Sequence, residues 1–154
     1  MIGFEITVYG KPVGQPRHRT PRKGRPYIPK DHPVHAFKQS IIDALPDDLE
    51  MTEEAVYIAL TLRFPRAKSH TKRQRERVFH TQKPDSDNCL KGVMDCLTKK
   101  LCKACKKKPL KTCKVCVKQR PWKDDAQVQI HGVKKIWTDD PEGSTSISVW
   151  RAEP

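Results

Sequence analysis

The segment Lys83-Pro84-Asp85-Ser86-Asp87-Asn88-Cys89-Leu90-Lys91 carries the densest chemistry in the chain. Asp85 and Asp87 stand two apart in a non-helical entry, so both carboxylates can point to one side. Lys91 follows Asp87 by one helical turn, and Asp95 continues that face by another. A second acidic pair, Asp124-Asp125, stands just before a hydrophobic alternation that begins at Ala126. A strand start and a helix start often share one edge of a sheet, and there these carboxylates would converge. Gathered that closely they repel one another, and a hard divalent cation removes the conflict. Mg²⁺ suits such a site because it takes oxygen ligands and keeps several waters. It would activate a bound water and neutralise charge on a phosphate undergoing hydrolysis, with Lys91 stabilising the charge that develops. Spacing alone is as compatible with plainer roles. Asp87 is a natural N-cap for the following helix, Asp87 and Lys91 could form a surface ion pair, and Asp124-Asp125 could be a solvated turn.

The charge balance bears on that choice. The 154 residues hold 31 Lys and Arg against 18 Asp and Glu, a formal net charge of +13. Residues 11–30 contain seven Lys or Arg and no acid, and residues 65–83 contain seven with a single Glu. Clustered positive charge implies a polyanionic partner, of which nucleic acid is the commonest. Carboxylates within such a surface would repel phosphate unless a cation bridged them. Arg17, Arg19, Arg22 and Lys83 are the candidate phosphate contacts beside these acids.

The elements that must position these groups follow from periodicity. Phe4, Ile6 and Val8 alternate with polar residues, as do Val56, Ile58, Leu60, Leu62 and Phe64, which predicts strands over 2–9 and 54–64. Five prolines between residues 11 and 30 exclude a regular element there. Val34, Phe37, Ile41 and Leu45 recur at helical spacing, predicting a helix over 33–45. Leu90, Val93, Met94, Leu97 and Leu101 do the same for 88–101. Residues 65–83 offer few apolar anchors and read as a mobile or DNA-ordered loop. Strands are expected over 126–138, with Gly132 marking a bulge, and over 144–151. The order β-α-β-α-β-β predicts an α+β domain: a mixed four-stranded sheet with two helices, over residues 1–154.

The pattern Asp85-x-Asp87-Asn88-x-x-Lys91, then a helix, then Asp124-Asp125-Ala126-Gln127-Val128, resembles the signature of the RusA-type Holliday-junction resolvases. The N-terminal strand followed by Gly14-Gln15-Pro16 and an Arg-rich loop is similar too. The resemblance implies an Mg²⁺-dependent homodimer that cuts four-way DNA junctions by paired nicks in recombination and repair. It places the metal-binding acids at Asp85, Asp87 and Asp125 and the functional lysine at Lys91, with Asp95 and Asp124 in supporting positions. A dimer suits the task, since two sites can nick two strands of a near-symmetric junction.

Residues 102–121 depart from that family pattern. Cys102-x-x-Cys105 and Cys113-x-x-Cys116 are separated by seven residues, and paired CxxC knuckles are the pattern of a tetrahedral, structural Zn²⁺ site. From Lys99 to Lys123 there are eleven Lys or Arg and no acid, so an unstapled segment would repel itself. This zinc-stapled basic insert would set Lys106 and Lys107 against DNA. Cys89 and Cys96, seven apart, read as packing residues. The histidines read as surface or phosphate-contacting groups, and Trp122, beside the acids, as the tryptophan best placed to stack on a base. With no signal-peptide pattern and no apolar run of spanning length, a cytoplasmic location, in a bacterial or phage-infected cell and associated with the nucleoid, is expected. Two other functions fit the same composition: a non-catalytic, zinc-stapled nucleic-acid-binding module, and a nuclease for other branched DNA.

Overall fold

The computed structural model describes residues 3–98 and 120–152. Strand β1 spans Phe4–Tyr9, helix α1 Val34–Asp43, strand β2 Val56–Pro65 and the short helix α2 Lys72–Arg75. Helix α3 spans Ser86–Leu97, strand β3 Val128–Thr138 and strand β4 Ser144–Arg151, with a 3₁₀ turn over Asp125–Gln127. The sheet order is β1-β4-β2-β3. Both pairings of β4 are antiparallel, and β2 runs parallel to β3. The expected mixed four-stranded α+β architecture is therefore present.

The alternation in β2 is complete. Val56, Ile58, Leu60, Leu62 and Phe64 are each at most 2% exposed, while the residues between them are half-buried. Burying each such side chain contributes roughly 1.5–3 kcal/mol. Ile6, Val8, Ile147 and Val149 complete the same sheet face. Phe37 and Ile41 of α1 pack on it with Leu90, Val93, Cys96 and Leu97 of α3. The molecule is thus two layers, with α1 and α3 on one face of the sheet. A bulge lies where expected: Ile58 pairs with Ile130 and Ala59 with Gly132, leaving His131 as the extra residue. The turn into β4 needs a glycine. Gly143 has φ +73°, and a Cβ there would lie 2.6 Å from the Arg63 carbonyl oxygen.

Several expected boundaries move. Helix α3 starts at Ser86, so its N-cap is Asp85 and Asp87 falls in the first turn. It ends at Leu97, because Thr98 turns to extended backbone while its N–H and hydroxyl both reach the Met94 carbonyl. Strand β3 starts at Val128 because Asp124 and Gln127 close a capping box around the 3₁₀ turn. The Gln127 amide also donates to the Thr52 and Glu54 carbonyls. The cysteines Cys102, Cys105, Cys113 and Cys116, with Lys106 and Lys107, lie outside the described residues.

Residues 66–83 form an ordered flap rather than a loose loop. Thr71 and Gln74 make a capping box that starts α2. The Arg66 guanidinium donates to the Gln74 and Arg77 carbonyls and pairs with Asp139 at 3.2 Å. Val78–His80 then lies antiparallel along the outer edge of β3. The Trp137 N–H donates to the Val78 carbonyl and the His80 N–H to the Lys135 carbonyl. His80 is the anchor that sequence reading missed: it is 7% exposed, stacked on Phe64 with ring centroids 3.9 Å apart, and tilted against Trp137. It is therefore not a surface histidine. Its pKa is lowered, by burial first and then by the Lys135 and Lys11 ammonium groups, so it packs as a neutral ring.

Candidate active site

The chain connection through α3 decides where the acids fall. β2, α3 and β3 form a β-α-β crossover between parallel strands, so the helix must run back against the strand direction. Its start then lies at the far ends of β2 and β3, and its end at their beginnings. Asp85 and Asp87 belong to the start. Asp125, just before β3, belongs to the end, and the Thr98 side chain is hydrogen-bonded to its carboxylate there. The expected convergence fails for this reason, because the start of β3 neighbours the end of the helix. At 1.5 Å per residue, Asp87 and Thr98 stand roughly 16 Å apart along α3. Consistent with this, no group of three or more His, Cys, Asp or Glu able to hold a metal ion occurs among the described residues.

At the start of α3, the carboxylates have no side-chain partner among the described residues. Asp85 occupies the N-cap position, yet its side chain caps no backbone N–H, and both Asp85 and Asp87 are exposed. Both act on the same buried neighbour: the Cys89 thiol is pushed up to about 11, mainly by burial, with the two carboxylates adding to the shift and Lys135 opposing it. Buried and held protonated, Cys89 is a packing residue, as its spacing suggested. Lys91 is exposed one turn further along. Asp95 is occupied elsewhere, since the Lys38 ammonium of α1 approaches it at 3.3 Å.

The N-terminal basic loop packs against this end of α3. The Gln15 N–H donates to the Asn88 carbonyl at 3.0 Å, and Gly14 lies so close to Pro84 that an added Cβ would be 2.7 Å from the proline Cβ. Between loop and helix opens a cleft of about 570 Å³ lined by Gly14, Gln15, Arg17, Lys83, Pro84, Asp85 and Asn88. Arg17 and Lys83 thus share the cleft with Asp85. Gln15 was not singled out in the sequence, although its Gly-x-Pro setting was the available signal. Its carboxamide oxygen is buried without a hydrogen-bond partner among the described residues. Arg19 is tied through its backbone to Tyr27, and Arg22 sits exposed in the turn between them. Neither lines the cleft.

At the other end of α3, Asp124 is a capping residue, its carboxylate accepting from the Ala126 N–H at 2.8 Å. Trp122 is fully buried and its indole N–H donates to the Thr98 hydroxyl at 2.9 Å. It is a core residue that seats Thr98 and hence Asp125, so it cannot stack on a base as its place in the sequence suggested.

These carboxylates, set among basic loops on an α+β scaffold, can be compared with known proteins. The chain is 26% identical over 154 residues to "Uncharacterized protein YqaN" of Bacillus subtilis (strain 168), covering 94% of each chain. The family model described as "Endodeoxyribonuclease RusA" matches residues 9–104, a stretch that holds the basic loop, the flap and the Asp85-x-Asp87-Asn88-x-x-Lys91 motif. With well over half of its length matched, the chain belongs to the RusA family of endodeoxyribonucleases.

Proposed function

We propose that this chain is an Mg²⁺-dependent nuclease that resolves four-way DNA junctions by paired nicks, as a homodimer whose active sites are shared between copies. The observation that carries this reading is the exposed Asp85–Asp87 pair at the start of α3, with Asp85 lining a cleft that Arg17 and Lys83 also line. Two carboxylates with waters and a substrate phosphate are a normal Mg²⁺ set, so the residues at the start of α3 fit the ion. When bound, the ion supplies an activated water and charge neutralisation at the scissile phosphate. Arg17 and Lys83 hold the phosphate backbone across the cleft. Lys91 stands one turn behind Asp87 to stabilise a developing oxyanion. The third acid, Asp125, lies too far along its own α3 to join that pair. Two copies related by a two-fold axis, with α3 set against α3 in opposite directions, would bring Asp125 of each copy to the Asp85–Asp87 pair of the other.

The test is a labelled four-way junction incubated with the protein, with and without Mg²⁺. Paired nicks are expected only with the metal, and Asp85→Asn, Asp87→Asn and Asp125→Asn are each expected to abolish them while binding persists. Cutting that survives all three changes sinks the site assignment. Equal cutting of flaps and forks would redirect the reading to branched DNA in general. A structural Zn²⁺ on Cys102, Cys105, Cys113 and Cys116 is part of the proposal, and metal analysis of reduced protein should then find about one Zn²⁺ per chain.

A further inference from the structure

Phe79 is out of place by the ordinary rules of burial. It is 61% exposed, although it sits on one of the best-fixed segments of the flap. The hydrogen bonds of Val78 and His80 to β3 hold it from both sides, and the buried His80 ring locks the segment onto Phe64 and Trp137. The Lys135 ammonium adds a 2.6 Å bond to the Gln82 carbonyl just beyond. Side chains alternate along an extended segment, so with His80 directed into the core, Phe79 is directed to the sheet face that carries neither α1 nor α3. Its cross-strand partner there is Ile136, which pairs in turn with Arg63. Lys134, two residues before Ile136, places its ammonium 6.0 Å from the Phe79 ring centroid.

A rigid, exposed aromatic ring with a cation beside it matches the chemistry of nucleobase stacking, in which the ring meets the base and the cation meets its phosphate. The surroundings favour nucleic acid over a protein partner. Residues 66–83 hold seven Lys or Arg against one Glu, and Lys72, Arg73 and Arg77 make no side-chain ion pair among the described residues. Phe79 is also six residues from Asp85, so the two lie within roughly 20 Å even on a fully extended chain. DNA that occupies the cleft would therefore pass within about that distance of Phe79.

We infer that Phe79, flanked by Lys134 on the sheet face that carries neither α1 nor α3, is a stacking platform for an unpaired base at the branch point of the DNA substrate. This rests on the reading of the chain as a junction nuclease and adds a basis for its choice of branched over linear DNA. Base–aromatic stacking makes the junction-to-duplex affinity ratio fall by roughly ten-fold in Phe79→Ala, with duplex affinity unchanged. Phe79→Trp should restore the ratio.

The experiment compares wild type, Phe79→Ala and Phe79→Trp on a four-way junction carrying 2-aminopurine at the crossover, with matched linear duplex as control. Wild type and Phe79→Trp should change the probe's fluorescence on binding, and Phe79→Ala should not. Thermal melting should be alike for all three, since the ring is exposed. If wild type binds and cuts the junction while Phe79→Ala gives the same probe response and affinity ratio, the platform is wrong and the nuclease reading stands. If wild type neither prefers nor cuts the junction, both fall together. If Phe79→Ala instead dissociates the dimer in sedimentation, the ring is a subunit contact and the inference is overturned.

Discussion

Two inactive variants, Asp85→Asn and Asp125→Asn, are expected to recover nicking when mixed and allowed to exchange subunits. The reason is the length of α3. Asp125 is held by Thr98, roughly 16 Å along the helix from Asp87, whereas ligands at about 2.1 Å from one Mg²⁺ stand only about 3 Å from each other. If each site takes Asp85 and Asp87 from one copy and Asp125 from the other, a mixed dimer has one site with both mutations and one with none. Random exchange makes about half the dimers mixed, so nicking should return to about a quarter of the wild-type level. The nicks should be single, because the second site in each mixed dimer is dead, and resolution into two duplexes should stay near zero. The assay is a labelled junction read on denaturing gels for nicks and native gels for resolution. Asp85→Asn mixed with Asp87→Asn serves as control, since both changes lie at the same end of α3 and no site escapes. Exchange confirmed by differently tagged subunits, with no recovery above either variant alone, would refute the shared-site argument.

Other consequences follow from the packing around the site. Gly14→Ala places a Cβ 2.7 Å from the Pro84 ring carbon and should lift the basic loop from α3; overpacking of this kind costs about 1–3 kcal/mol, and cutting should fall more than junction binding does. His80 has a pKa lowered from 6.5, so above that pH it is neutral in both folded and unfolded chains and contributes no pH dependence. As the pH falls through 6.5 the unfolded chain takes up a proton that the buried ring resists, so stability should fall below that pH until the folded ring protonates too, and His80→Phe should flatten that slope in denaturant titrations. Trp122→Phe removes the hydrogen bond to Thr98, worth about 1 kcal/mol net, and should lower the unfolding midpoint while loosening Asp125; an unchanged midpoint would show that the bond is dispensable.

The sheet was legible because strand alternation is a strong and local signal. In β2 every second residue from Val56 to Phe64 is apolar, and every one is buried. The α3 stripe and the Gly132 bulge were readable for the same reason. The spacing of Asp85 and Asp87 at a helix entry was readable too, and both stand at the start of α3. What sequence could not supply was the direction in which the chain crosses between parallel strands, and that direction alone separates Asp125 from Asp85 and Asp87. The flap was misread because its anchors are not aliphatic. His80 counts as polar in any hydropathy pattern, yet a neutral imidazole between Phe64 and Trp137 packs as an aromatic ring. Trp122 was misread because its neighbours in sequence are charged, while its neighbours in space are Thr98 and the core beneath β2.

Arg66 carries a consequence for how this protein would respond to salt. Its guanidinium is engaged by the Gln74 and Arg77 carbonyls and Asp139, and the Arg75 guanidinium by the His70 and Lys68 carbonyls. Each phosphate neutralised on duplex DNA releases condensed counterions and contributes about 0.9 to the slope of log affinity against log salt. Counting all seven basic residues of the flap would overstate that slope by roughly 1.8, because two of them are committed to folding the flap itself. The flap should therefore grip DNA less tightly, and release it less steeply with salt, than its charge suggests. If the chain resolves junctions as proposed, that moderation would favour release of the nicked duplexes and hence turnover.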